Sequence, residues 1–201
     1  MGGRFQFPKG ATPLDDISGL KLSWVQQLRD LNRAEAENIS QAQKKYLEKS
    51  IDDPSKWFNP TFLRKIHMTM FGDVWDWAGR WRKSITNIGI KPQFIPMKLS
   101  ELCAQVISWG TGSAKMTYLE RSARIHHQLV SIHPFENGNG RFSRLVADRY
   151  LLAYRCTHPI WPSHLGINGE IRDRYILSLK AADRGDYLPM IQLMREFHAK
   201  E

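Results

Sequence analysis

Twelve residues, His133-Pro-Phe-Glu-Asn-Gly-Asn-Gly-Arg-Phe-Ser-Arg144, interrupt two long helical patterns and constrain everything around them. Pro134 cannot continue the helix that runs into His133. Gly138 and Gly140 flank Asn139, so the backbone can turn left-handed and approach a ligand closely. The next helix begins near Asn139 or Gly140, and amides at a helix start attract anions, as phosphate-binding nests do. Arg141 and Arg144, three apart, leave that helix in the same direction and can fork onto phosphate oxygens. His133 can move a proton near neutral pH. Phe135 has no polar role and reads as an inward anchor that stiffens the loop.

The chain has 201 residues, of which 42% are apolar, enough for one domain with a sizeable core. Its net charge of +9 favours polyanions: nucleotides, nucleic acid, acidic proteins or a membrane surface. Cys103 and Cys156 lack metal spacing and read as buried free thiols of a reducing compartment. No apolar run suits a membrane span and the N-terminus lacks an apolar signal core, so the reading is a soluble, cytoplasmic protein without a membrane partner.

Residues 1–20 read as an extended arm rich in glycine and proline, 21–50 as a helical segment, and 51–201 as the core. Helical patterns cover about Leu22 to Lys49, a start at Asp53-Pro54, Pro60 to Phe71, Met97 to Trp109, and the stretch from Thr117 to His133. Thr117 and Glu120 form the T-x-x-E signature of a capping box. Phe142, Leu145, Val146 and Tyr150 face inward from the helix after the loop, and two more helices follow, about Asn168 to Asp183 and Tyr187 to Ala199. Ser84 to Pro96 differs, because Ile85, Thr86, Ile88, Ile90, Phe94 and Ile95 favour strands while Gly89 and Pro92 supply turn chemistry. The expectation is an all-α bundle with one short β-hairpin. The tryptophans before that hairpin read as core packing. His126 and His127, adjacent on a helix, face different ways and make a poor metal site.

A base beside a phosphate cradle points to an enzyme that transfers part of a nucleotide. The twelve residues resemble the Fic family signature His-x-Phe-x-(Asp/Glu)-Gly-Asn-Gly-Arg-x-x-Arg at every position but one. Trp77-Ala78-Gly79-Arg80-Trp81-Arg82, leading into the hairpin, is similar to the family's approach to its flap. The stretch from Met70 to Gly79 and the Asn-Gly-Asn-Gly variant resemble the branch called mobile mystery protein B. The resemblance implies a Fic-type helical bundle that transfers AMP from ATP to a Tyr, Ser or Thr hydroxyl of a target protein, including itself. His133 would be the general base. Gly138, Asn139 and Gly140 would form the anion hole, with Arg141 and Arg144 on the phosphates. Ile85, Thr86, Ile88, Phe94 and Ile95 would form the flap hairpin on which the target docks by strand addition. The branch alone implies a toxin-like role.

Asn137 stands where the family signature has the acid that binds magnesium, and an amide oxygen is a weaker ligand for that ion. Many family members carry an inhibitory helix whose glutamate pairs with the second motif arginine. Glu37-Asn38 matches the end of that pattern, Arg33 stands where Ser or Thr belongs, and Glu35 on the same helix is the rival. Two other readings use the same residues. One is a basic nucleic-acid-binding protein or nuclease, the less favoured because the whole constellation occurs together. The other is a nucleotide-binding Fic protein that Asn137 has made catalytically silent.

Overall fold

The computed structural model describes residues 19–48, 52–111, 115–162, 165 and 169–198. The expected N-terminal arm lies outside them up to residue 18. Among the described residues the order is α1 (Leu28–Leu47), α2 (Pro54–Trp57), α3 (Pro60–Phe71), α4 (Ile95–Thr111), α5 (Tyr118–Ile132), α6 (Asn139–Ala153), α7 (Glu170–Ala182) and α8 (Leu188–Glu196). The fold is all-α, as expected.

Local chemistry sets several of these boundaries. Asn59 caps α3 by accepting the Phe62 amide at 2.9 Å, and Pro60 fills the first helical position, where its missing N–H costs nothing. α1 begins later than the expected Leu22. There Asp30 reaches back to accept the Gln27 amide at 3.0 Å and closes the first turn. Thr117 Oγ1 accepts the Glu120 amide at 3.1 Å, but the Glu120 carboxylate takes Arg124 at 2.8 Å, so the pair is a simple cap.

α5 and α6 lie against each other, α1 packs on α3 and α6, and α7 pairs with α8. The main core draws Leu31 and Ala42 from α1, Leu63 and Met70 from α3, Leu99 from α4, Leu129 from α5, and Phe142 and Tyr150 from α6. A second cluster joins α7 and α8 to the outer face of α5 through Ala123, Tyr175, Met190 and Met194. Trp57 and Trp75 are buried, as packing requires, while Trp24 is half exposed. Cys103 is a buried free thiol that burial pushes up to about 12, and Cys156 is half-buried.

The expected β-hairpin does not form. Among the described residues there is no strand ladder, only an isolated bridge between Leu20 and Trp75. Residues 83–91 are an extended loop, and its carbonyls are spent elsewhere: Arg82 donates Nη1 to the Ser84 carbonyl at 2.7 Å and Nη2 to the Ile90 carbonyl. A guanidinium thus bridges the two arms that a hairpin would pair by backbone. Ile85 and Ile88 are exposed on this loop. Phe94 ends a 3-10 turn, Pro92–Phe94, and Ile95 opens α4 fully buried, so neither belongs to the flap.

Candidate functional site

α5 ends at Ile132, and His133 caps it in the left-handed region at φ 53° and ψ 61°. That conformation costs a residue with a Cβ about 1 kcal/mol or more, and it turns the chain sharply out of the helix. His133 Nδ1 lies 3.3 Å from the Val130 carbonyl. A carbonyl only accepts, so Nδ1 carries the proton and Nε2 is the basic nitrogen. The residue is 4% exposed, and Gly89 of the loop packs against its Cβ. A Cβ at Gly89, whose φ is +104°, would sit 2.4 Å from the His133 Cβ, so only glycine can lie there. Burial pulls the imidazole down to about 4, helped by the charge of Arg82 and opposed by the Val130 carbonyl. His133 is therefore neutral through the physiological range.

Phe135 is completely buried and stacks on His67 with ring centroids 3.6 Å apart. The Asn139 side chain closes the loop on itself, accepting the Phe135 amide at 2.9 Å and donating to the Phe135 carbonyl at 2.8 Å. His67 Nδ1 accepts the Gly79 amide at 3.1 Å, which leaves Nε2 to donate to the Asn137 carbonyl at 3.0 Å. Gly138 adopts φ +77°, and a Cβ there would lie 2.5 Å from the Phe71 ring. Phe135→Ala should lower stability by about 3–5 kcal/mol, as other buried Phe truncations do, and loosen the loop. Chemical denaturation reads that value, and a loss under about 1 kcal/mol would refute the anchor.

Of the expected anion-hole amides, one is occupied within the loop. The Gly138 amide donates to Asn137 Oδ1 at 2.6 Å, and the Asn139 side chain holds Phe135. Helix geometry leaves the backbone amides of Asn139, Gly140 and Arg141, the first three residues of α6, without acceptors inside the helix. They point along a positive dipole end. Among the described residues a Cβ on Gly140 would meet only Tyr175 Oη at 3.7 Å and Arg144 Nη1 at 3.8 Å, so these residues leave the corner open and border it with a cation.

The two arginines live differently. Arg144 is half-buried beside the corner, its guanidinium 5.6 Å from the Trp161 ring and 5.8 Å from the Tyr175 ring. Tyr175 Oη also meets His126 Nε2 at 3.0 Å. Asp148, one turn along α6, accepts from Trp161 Nε1 at 3.0 and 3.1 Å. Arg141 lies 4.9 Å over the Phe71 ring and donates to Glu35 Oε2 at 2.5 Å. Glu35 Oε1 accepts from Trp75 Nε1 at 2.8 Å. Asn38 locks α1 in this register by donating to the Thr69 carbonyl and to Asp73. Glu37 is exposed on the opposite face. The expected contact between Glu37 and Arg144 is thus replaced by Glu35 with Arg141, because Glu35 shares the buried stripe of Leu31, Ala34 and Asn38.

A protein-built magnesium site does not fit these residues. Asn137 Oδ1 is engaged by Gly138, and both Glu136 oxygens are taken, by Ser84 Oγ at 2.5 Å and the Lys83 amide at 3.3 Å. Among the described residues no group of three His, Cys, Asp or Glu could hold a metal.

The buried imidazoles couple folding to pH. Burial pulls His67 and His126 down to about 3 and His133 to about 4, whereas histidine ordinarily titrates at 6.5. The unfolded chain therefore takes up protons that the folded chain refuses, and this part of the stability, intact above pH 6.5, is lost as pH falls toward 4. Asp148 acts oppositely. Burial raises its carboxyl from 3.8 to about 8, so it favours folding at low pH and loses that effect as pH rises through 8. Three imidazoles outweigh one carboxyl, leaving a net loss of stability as pH falls from roughly 6 to 4. Denaturation midpoints should fall steeply below pH 6.5, and a flat profile there would contradict these buried neutral rings.

Sequence reasoning missed His67, Trp75, Arg82, Asp148 and Tyr175. His67 sits on the inner stripe of α3 with Leu63, Ile66 and Met70, a spacing that marks it as buried. Asp148 follows Arg144 by four, a legible helical pair. Nothing local marks the partners of the other three.

A family model described as the Fic/DOC family matches residues 57–151. The protein adenylyltransferase fic-1 of Caenorhabditis elegans is 30% identical over 158 residues, covering 77% of this chain; the chain spans 28% of that protein. Among solved structures, the N-terminal Fic domain of a putative cell filamentation protein of Bartonella quintana superposes with a TM-score of 0.69 at 18% identity, covering 96% of this chain and 90% of that one. The BepC protein of Bartonella tribocorum, solved with bound AMPPNP, gives 0.66 at 17% identity, covering 97% and 96%. These structural likenesses speak for the fold, and the sequence matches run through the loop that holds His133, Asn139 and Arg144. This chain belongs to the Fic/DOC family.

Proposed function

We propose that this chain transfers AMP from ATP to a hydroxyl side chain of a protein. One observation carries the reading: a neutral imidazole whose basic nitrogen is Nε2 sits two residues before the buried anchor of a loop that opens α6. A target Tyr, Ser or Thr oxygen attacks the α-phosphorus of ATP, its proton passes to His133 Nε2, and the bond to pyrophosphate breaks. The amides of Asn139, Gly140 and Arg141 and the guanidiniums of Arg141 and Arg144 bear the phosphate charge. Two relatives support the donor: one is named an adenylyltransferase, and one neighbour was solved with AMPPNP. In this reading the target backbone lies along residues 83–91, where Ile85 is 84% exposed.

Glu35 acts as a built-in brake. It occupies Arg141, which a bound phosphate needs, so nucleotide must displace a charge-assisted contact before it is gripped. A silent nucleotide-binding protein is the second reading, favoured by Asn137 at the acidic position.

The test uses the full chain with ATP labelled at the α- or the γ-phosphate. Transfer predicts stable protein label from the first and none from the second. ATP binding with no α-label, even once Glu35 is neutralised, would replace the transferase by the silent binder.

A further inference from the structure

We infer that Arg82 is a positioning residue that fastens residues 84–90 to the backbone of His133 and thereby holds the target-docking loop and the base in one register. The inference rests on the transferase reading for its consequence, but not for its geometry. Arg82 is 3% exposed. Its Nε donates to the His133 carbonyl at 2.6 Å, Nη1 to the Ser84 carbonyl at 2.7 Å, and Nη2 to the Ile90 carbonyl. Its own amide donates to the Pro134 carbonyl at 2.9 Å. One planar fork therefore joins both ends of the loop to the His133 carbonyl, and the Arg82 main chain adds a tie to Pro134.

Each contact has a reason. A buried guanidinium needs its donors satisfied, and these carbonyls, lacking a strand partner, need donors. His133 stands in the left-handed region, which swings its carbonyl off the α5 axis toward Arg82. The bond thus rewards a backbone conformation that is otherwise unfavourable, and that conformation aims the imidazole. Gly89 completes the seat: a Cβ there would strike the His133 Cβ at 2.4 Å and Arg82 Nη2 at 2.9 Å. Glu136 adds a second tie at the loop's first arm by accepting from Ser84 Oγ and the Lys83 amide. Arg82 touches no reacting atom in this arrangement. Lysine cannot replace it, because an ammonium presents its donors from one point and cannot span three diverging carbonyls.

The experiment compares the full chain with Arg82→Lys and, independently, Gly89→Ala. Hydrogen exchange reads amides 82 and 83, titration reads ATP affinity, and α-labelled ATP reads transfer to a protein hydroxyl. For Arg82→Lys, exchange at amides 82 and 83, which donate to the Pro134 carbonyl and to Glu136, should quicken by at least about tenfold while helices α3 to α6 keep their protection. Transfer should fall by about 10²-fold with ATP affinity held within about threefold, the split expected when alignment is lost but the phosphate grip is not. Gly89→Ala should reproduce the transfer loss with Arg82 intact. Unchanged exchange at amides 82 and 83 in Arg82→Lys would overturn the inference whatever the activity. So would equal deprotection of all helices in Arg82→Lys together with normal transfer by Gly89→Ala, since Arg82 would then be only a stabilising residue. Failure of the transferase reading looks different: no label in any form, with the exchange difference still present.

Discussion

His133→Ala should lower incorporation of α-labelled phosphate by about 10²–10⁴-fold if the transferase reading holds. The attacking hydroxyl must lose its proton as the new bond to phosphorus forms, and His133 Nε2 is the basic nitrogen left once Nδ1–H is committed to Val130. ATP affinity should change little, because the amides of α6 and the two arginines are untouched. The rate should also stay insensitive to protonation of this imidazole down to acid pH, since burial holds it near 4. The profile should therefore show no inflection near 6.5 that belongs to His133. Single-turnover labelling across pH 5 to 8 decides the matter. A variant labelling within about threefold of the parent would remove His133 from the chemistry.

Glu35→Gln raises nucleotide affinity and, with it, self-labelling, by about 5–20-fold. A charge-assisted hydrogen bond is worth about 1.5–3 kcal/mol, and Arg141, 34% exposed at its side chain, is partly screened, which places the gain below the upper end. Glutamine keeps an oxygen for Trp75 Nε1, so the loss of stability should stay near the ~1–2 kcal/mol of the charge-assisted contact it removes. Arg141→Ala should behave in the opposite way, leaving a carboxylate that is 8% exposed without its cation, at a cost of about 3–5 kcal/mol. Glu37→Gln should do nothing, since Glu37 is exposed and away from the motif. Isothermal titration with a non-hydrolysable ATP analogue, alongside denaturation, separates these outcomes. Equal affinity for parent and Glu35→Gln would end the idea of a brake.

The elements that could be read along the chain are those whose causes are local. α3 and its cap follow from Asn59-Pro60, and the inward face of α6 from Phe142, Leu145, Val146 and Tyr150. Glu35 could have been separated from Glu37 by the same periodicity, because it alone falls on the stripe with Leu31, Ala34 and Asn38. The hairpin was a fair inference from Ile85 to Ile95, yet β-branched residues state only a preference for extended backbone. They do not say which donors will satisfy its carbonyls.

The chain alone determined the helical class and the chemistry of the loop from His133 to Arg144, since a proline, two glycines and a capped helix start act on their immediate neighbours. Tertiary structure alone decided which arginine meets Glu35, that Arg82 takes the loop carbonyls in place of a strand, and that His67 pins the carbonyl of Asn137. Those contacts join residues 51 to 106 positions apart, or depend on a fork reaching across a turn. Their partners are chosen by where the packed helices come to rest, which no local propensity encodes.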